Sequence, residues 1–261
     1  MSEWLILAAI ALFAIPGTLF YLLQHRLVFK PNYYPNRSLF VEYSNRYHVQ
    51  KLEISPSVTL EGVVYEPEGE AVATVLYFGG KEQDSVVLIG KFSMHYPDVR
   101  FVAFNYRGYG ISGGEPSHDT LYEDAVKVYD WVHERFGDTG VLGYSLGSSV
   151  AAFVGAERSP RWVALVSAFA SVERLIKERF PLIPSLLIRN KYDTLASVSK
   201  MVCPLYLYAS RDDTLVPYTH SLKLKARAHN LAGYKEFSGY NHANLLFSEA
   251  LEEELHKVFK T

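Results

Sequence analysis

The chain has 261 residues, 49% of them hydrophobic and 21% charged, with a net charge of −2. That composition suits one large α/β domain with a sizeable core, and the near-neutral balance excludes the basic footprint of a nucleic-acid binder. The single cysteine, Cys203, excludes an internal disulfide framework. With no H-E-x-x-H and no cysteine pair there is no signature of a metal or cofactor.

Residues 4–23 form an almost unbroken apolar run whose only polar side chain is Thr18. As a helix it rises about 30 Å, the thickness of a bilayer core. Pro16 and Gly17 are better tolerated inside a membrane helix than a soluble one, and Trp4 and Tyr21 suit interfacial positions. The expectation is a single-pass N-terminal anchor over 1–23, and hence a membrane location. A signal peptide is the rival, but Glu3 stands where a basic n-region belongs and no A-x-A site follows. Arg26, Lys30 and Arg37 behind the run point, by the positive-inside rule, to a cytoplasmic domain; the side of the membrane stays open.

Residues 24–48 read as a polar link rich in Tyr and Asn, with a pattern-level glycosylation sequon at Asn36-Arg37-Ser38, and 49–261 as the folded domain. Segments 49–54 and 59–65 alternate as two antiparallel strands. Continuous apolar runs at 73–78, 99–105, 162–166 and 205–209 predict buried strands. A short last strand covers 234–237. Helices are predicted over 84–95, over 119–135 with Asp119 as N-cap, and over 245–259. The rhythm implies a mostly parallel sheet covered by helices on both faces. It breaks at 171–200, where Pro181 and Pro184 interrupt helix-like pieces; this reads as a small helical lid. Two pattern matches are set aside. Gly108–Gly113 fits G-x-G-x-x-G, but Gly114-Glu115-Pro116 follow where a dinucleotide fingerprint opens a helix. Ser197-Val198-Ser199-Lys200 fits S-x-x-K without the motifs that accompany it in penicillin-binding proteins.

The stretch that carries chemistry is Val141-Leu142-Gly143-Tyr144-Ser145-Leu146-Gly147-Ser148. It places G-x-S-x-G between an apolar strand and a small-residue helix, the context of a nucleophile elbow. Ser145 is the candidate nucleophile, and the Leu146 N–H a candidate oxyanion donor. A serine needs a base and an orienting acid. Of the four downstream histidines, His242 lies in a Gly/Asn loop between a strand and a helix and is the candidate base. His220, His229 and His256 sit in helical patterns and read as surface residues. For the acid, Asp212 and Asp213 both follow the 205–209 strand, and Asp193 in the insertion is a third candidate.

The motifs Tyr77-Phe78-Gly79-Gly80, Asn105-Tyr106-Arg107-Gly108-Tyr109-Gly110, Gly143-Tyr144-Ser145-Leu146-Gly147, Asp213-Thr214-Leu215-Val216-Pro217 and Gly239-Tyr240-Asn241-His242 stand in one order. Together they resemble the α/β-hydrolase superfamily and, within it, the Bem46-like group of membrane-anchored serine hydrolases. The resemblance covers about 50–260. It implies an α/β-hydrolase fold, Asp213 as the acid and Gly80 as second oxyanion donor; Phe78 stands where the family's His-Gly loop has His. It implies hydrolysis of an ester or thioester, from a small molecule, a lipid or an acyl-protein, with no cofactor. A peptidase of the same fold and a non-catalytic membrane-tethered scaffold are the alternatives.

Overall fold

Successive strand residues point to opposite faces, so a strand that is apolar throughout must be covered on both. The computed structural model, which describes residues 17–32 and 45–261, shows how these strands meet that demand. The strands are β1 (Tyr47–Ser55), β2 (Val58–Tyr65), β3 (Thr74–Phe78), β4 (Arg100–Phe104), β5 (Thr139–Tyr144), β6 (Val163–Val166), β7 (Leu205–Ser210) and β8 (Leu231–Phe237). They form one eight-stranded sheet in the order β1-β2-β4-β3-β5-β6-β7-β8. Among the described residues only the β1–β2 and β2–β4 pairings are antiparallel. The pairs from β4 through β8 are parallel.

The helices in chain order are α1 (17–28), α2 (Ser85–His95), α3 (His118–Phe136), α4 (Leu146–Glu157), α5 (Val172–Arg179), α6 (Thr194–Val198), α7 (Thr219–Lys225) and α8 (Glu249–Phe259). Alternate residues of each strand divide between two cores. Leu76, Phe78, Val141, Leu165 and Leu207 face a core shared with α3, α4, α6 and α7. Val75, Tyr77, Leu142, Val166 and Tyr208 face one shared with α2 and α8. The 108–113 loop is no helix start: Gly108, Gly110 and Gly114 take φ of 72°, 57° and 74°, and the next helix begins at His118. That helix is capped by Ser117, two residues before the expected Asp119. Ser117 and Thr120 form a reciprocal capping box there. The closing element is likewise split, a 3-10 turn at Leu245–Phe247 and then α8 capped by Ser248.

The N-terminal part of the expected anchor, 1–16, and the Asn36 sequon lie outside the described residues. No helix among the described residues is long and apolar enough to cross a membrane. α1 runs past Leu23 to 28, through residues expected to be link. It docks on the domain because Gln24 supplies both halves of an amide pair. Its Nε2 donates to Leu187 O (2.7 Å) and its Oε1 accepts the Arg189 N–H (2.7 Å). His25 Nε2 donates to Pro116 O (2.9 Å), and Phe29 is buried against Tyr192.

Candidate active site

At the carboxyl end of β5 the chain turns so sharply into α4 that Ser145 takes φ 53°, ψ −116°, a strained conformation for a side-chain-bearing residue. The turn is enforced by neighbours. Ser145 N–H donates to Val166 O (3.0 Å), and Ser148 Oγ donates to Ser145 O (2.6 Å). Only glycine fits on either side. A Cβ on Gly147 would overlap the Phe78 and Gly79 carbonyls, and one on Gly143 would overlap Gly147 O and Ala151.

His242 reaches this apex from the loop after β8. Its Nε2 lies 2.8 Å from Ser145 Oγ and its Nδ1 lies 2.7 Å from Asp213 Oδ2. A carboxylate only accepts, so Nδ1 carries the proton and Nε2 offers its lone pair to the Ser145 hydroxyl. Both Asp213 oxygens are assigned, since Oδ1 accepts the N–H groups of Leu215 (2.9 Å) and Val216 (2.8 Å). The other acid candidates fall elsewhere. Asp212 Oδ2 accepts the Gly239 N–H (2.6 Å), which ties the His242 loop to the Asp213 loop. Asp193 caps α6 through the Ala196 N–H. Tyr144 OH donates to His242 O (2.6 Å); burial and then the nearby Asp213 charge push this phenol up, so it remains a donor.

His220 is fully buried rather than at the surface. Its Nδ1 accepts the Ala170 N–H (3.1 Å), which makes Nε2 the donor to Glu178 on α5 (2.8 Å). Burial holds its pKa below the usual range, against the opposing pull of Glu178.

Of the two expected oxyanion donors, the Leu146 N–H is the first of α4, where no intrahelical acceptor exists. The Gly80 N–H is already engaged: it donates to Gln83 Oε1 (2.7 Å), which also accepts Tyr77 OH (2.6 Å). The cause is local. Gly80 O accepts the Gln83 N–H (3.1 Å), and that turn folds the Gln83 side chain back over Gly80.

A cavity of about 230 Å³ opens onto Ser145 and Leu146. Its inner wall is Phe169, Leu215 and Val216; its outer wall is Val172, Leu175 and Ile176 from α5 and Phe20, Leu27 and Val28 from α1. Two cationic side chains line it. Lys81 is lowered from its ordinary pKa by burial and then by Lys30, and its Nζ donates to Leu27 O (3.3 Å). Arg179 donates to Thr214 O (2.9 Å) and Leu215 O (3.0 Å). Sequence reasoning missed Gln83, the Tyr144 brace and the contribution of α1. Only Gln24, the first amide after the apolar run, carried a signal of α1's docking.

Solved structures share this architecture over nearly the whole chain. An esterase of Pyrococcus furiosus aligns over 89% of this chain and 95% of its own, at a TM-score of 0.65 and 17% identity. An alpha-beta hydrolase of Vibrio vulnificus aligns over 86% and 87%, at a TM-score of 0.71 and 18% identity. The likeness shows the fold, which is that of an α/β hydrolase. No family model matches this hydrolase-fold chain. Among curated relatives, an uncharacterized protein of Mycobacterium tuberculosis is 28% identical over 155 residues, 58% of this chain and 55% of its own. A lysophosphatidylserine lipase, ABHD12, of Macaca fascicularis is 31% identical over 157 residues, 52% of this chain and 39% of its own. The chain thus spans about half the length of the curated relatives it matches.

Proposed function

We propose that this α/β-hydrolase-fold chain is a serine hydrolase that cleaves an acyl ester or thioester through an acyl-enzyme. The observation that carries the reading is His242, held at 2.7 Å by Asp213 and reaching 2.8 Å to Ser145 Oγ. Ser145 Oγ attacks the acyl carbonyl while His242 Nε2 takes its proton. Asp213 keeps the imidazole in the required tautomer and stabilises its cation. The Leu146 N–H holds the oxyanion, joined by the Gly80 N–H once the Gln83 carbonyl turns away. His242 then returns the proton to the departing alcohol or thiol. Water, activated by the same nitrogen, releases the acid and restores Ser145.

The apolar cavity beside the nucleophile supports an acyl chain as the group transferred, with Lys81 and Arg179 placed to meet a polar or anionic leaving group. Relatives named as lysophosphatidylserine lipases favour a lipid ester. In this reading the apolar run over 4–23 anchors the enzyme to a membrane, as in the Bem46-like group.

The test is labelling by a fluorophosphonate, comparing wild type with Ser145→Ala and His242→Ala. Labelling is expected in wild type, absent in Ser145→Ala and sharply reduced in His242→Ala. Folded wild type that takes no label refutes the reading in favour of a tethered scaffold. A panel of esters, thioesters and peptides then separates the esterase from a peptidase.

A further inference from the structure

The outer wall of the cavity is apolar on its outer side as well. α1 turns Phe20 and Val28 inward and leaves Leu19, Leu22 and Leu23 exposed to solvent. The insertion does the same: Leu175 and Ile176 line the cavity, while Leu182 is 85% exposed and Leu186 is 90% exposed. The two segments form one surface. Gln24 bridges Leu187 and Arg189, and the Arg189 guanidinium sits 5.1 Å from the Tyr21 ring centre. Scattered exposed leucines need no explanation, but a contiguous apolar patch beside a binding cavity marks an interaction face.

Charge says what the face meets. The chain as a whole is −2, yet 17–30 and 171–191 together carry seven Lys and Arg against two carboxylates. Both carboxylates are paired, Glu173 with Lys177 and Glu178 with His220 and Lys223. Arg26 and Arg189 form no ion pair with a carboxylate among the described residues. Leucines ringed by Arg and Lys are the composition of a surface that lies in the interface of an anionic bilayer. The sequence just ahead of α1 is apolar as well, at every position from 4 to 16.

We infer that the exposed face of α1 and the 182–186 segment together dock into the headgroup–acyl boundary of an anionic lipid bilayer. The cavity then opens at the membrane surface, and an acyl chain reaches Ser145 without crossing water. This goes beyond an N-terminal anchor, which would hold the domain near lipid without immersing the insertion.

A fluorescent probe at position 186 tests it in the full chain, independently of hydrolysis. Leu186→Cys gives a unique reactive thiol, because Cys203 is buried and its thiol pushed up to about 11. Met94→Cys, on an exposed position of α2, is the control. The labelled chains are reconstituted in phosphatidylcholine–phosphatidylserine vesicles. A nitroxide-bearing lipid is expected to remove most of the emission of the 186 probe, and iodide in the water little; the 94 probe should behave in reverse. A 186 probe quenched by iodide and not by the lipid overturns the inference, leaving the N-terminal run as sole anchor. A probe shielded from both quenchers also overturns it, since another protein surface then covers the patch. Equal quenching in pure phosphatidylcholine overturns the anionic preference while the apolar docking stands.

Discussion

The two walls of the cavity are built on different principles. The inner wall is the carboxyl edge of the sheet, where the Val166 carbonyl accepts from Ser145, the Leu215 and Val216 N–H groups donate to Asp213, and added Cβ atoms would collide. The outer wall is two helical segments held mainly by side-chain contacts, Gln24, His25 and Phe29 from α1 and Arg179 and the His220–Glu178 pair at α5. Chemistry that needs sub-ångström placement sits on the rigid wall.

Perturbing the rigid wall should have the larger consequences. Asp213→Asn should lower kcat/KM on a soluble ester by about 10⁴-fold, because an amide no longer selects the tautomer with its lone pair on Nε2. Asp212→Asn, one residue away, loses only the charge on the Gly239 contact and should cost far less. Equal losses in the two variants would contradict the assignment of the acid. Gln83→Glu comes next. A carboxylate would hold the Gly80 N–H more tightly and repel an oxyanion, so kcat should fall about 10²-fold with KM little changed. An unchanged kcat would show that Gly80 takes no part.

On the outer wall the effects should be smaller and of another kind. Gln24→Ala leaves Leu187 O and the Arg189 N–H without partners, at a cost of about 1–3 kcal/mol in the hold on α1. Steady-state kinetics should show KM for a long-chain ester rising severalfold while turnover of a short ester is unchanged. The smallest effect is in pH. The folded pKa of His220 is depressed, so the unfolded chain binds the proton more readily. Its contribution to stability is therefore complete above the unfolded value of about 6.5 and is lost as pH falls through the folded value. Thermal melting should drop on acidification through this window, and His220→Gln should flatten that part of the profile.

Most of the rigid wall was legible in the chain. The strands are short and apolar throughout, and G-x-S-x-G between strand and helix marks Ser145 from local sequence alone. Local sequence also limited the base to one loop histidine, but it left Asp212, Asp213 and Asp193 open, and resemblance chose among them. The contacts explain why residues could not: adjacent aspartates on one loop differ only in which way the loop turns them, towards Gly239 or towards His242. Gly80 failed to show its engagement for a similar reason, since a side chain folding back three residues leaves no mark on a motif.

By itself the sequence determined the alternation of elements, the sharp turn at Ser145 and the apolar entry at the N-terminus, because periodicity and steric demand act over neighbouring residues. Only the tertiary structure decided that α1 lines the cavity, that His220 is a buried strut and not a surface residue, and which carboxylate meets His242. Those contacts join positions far apart in the chain, up to 165 residues for Gln24 and Arg189, and no local pattern encodes a partner at that distance.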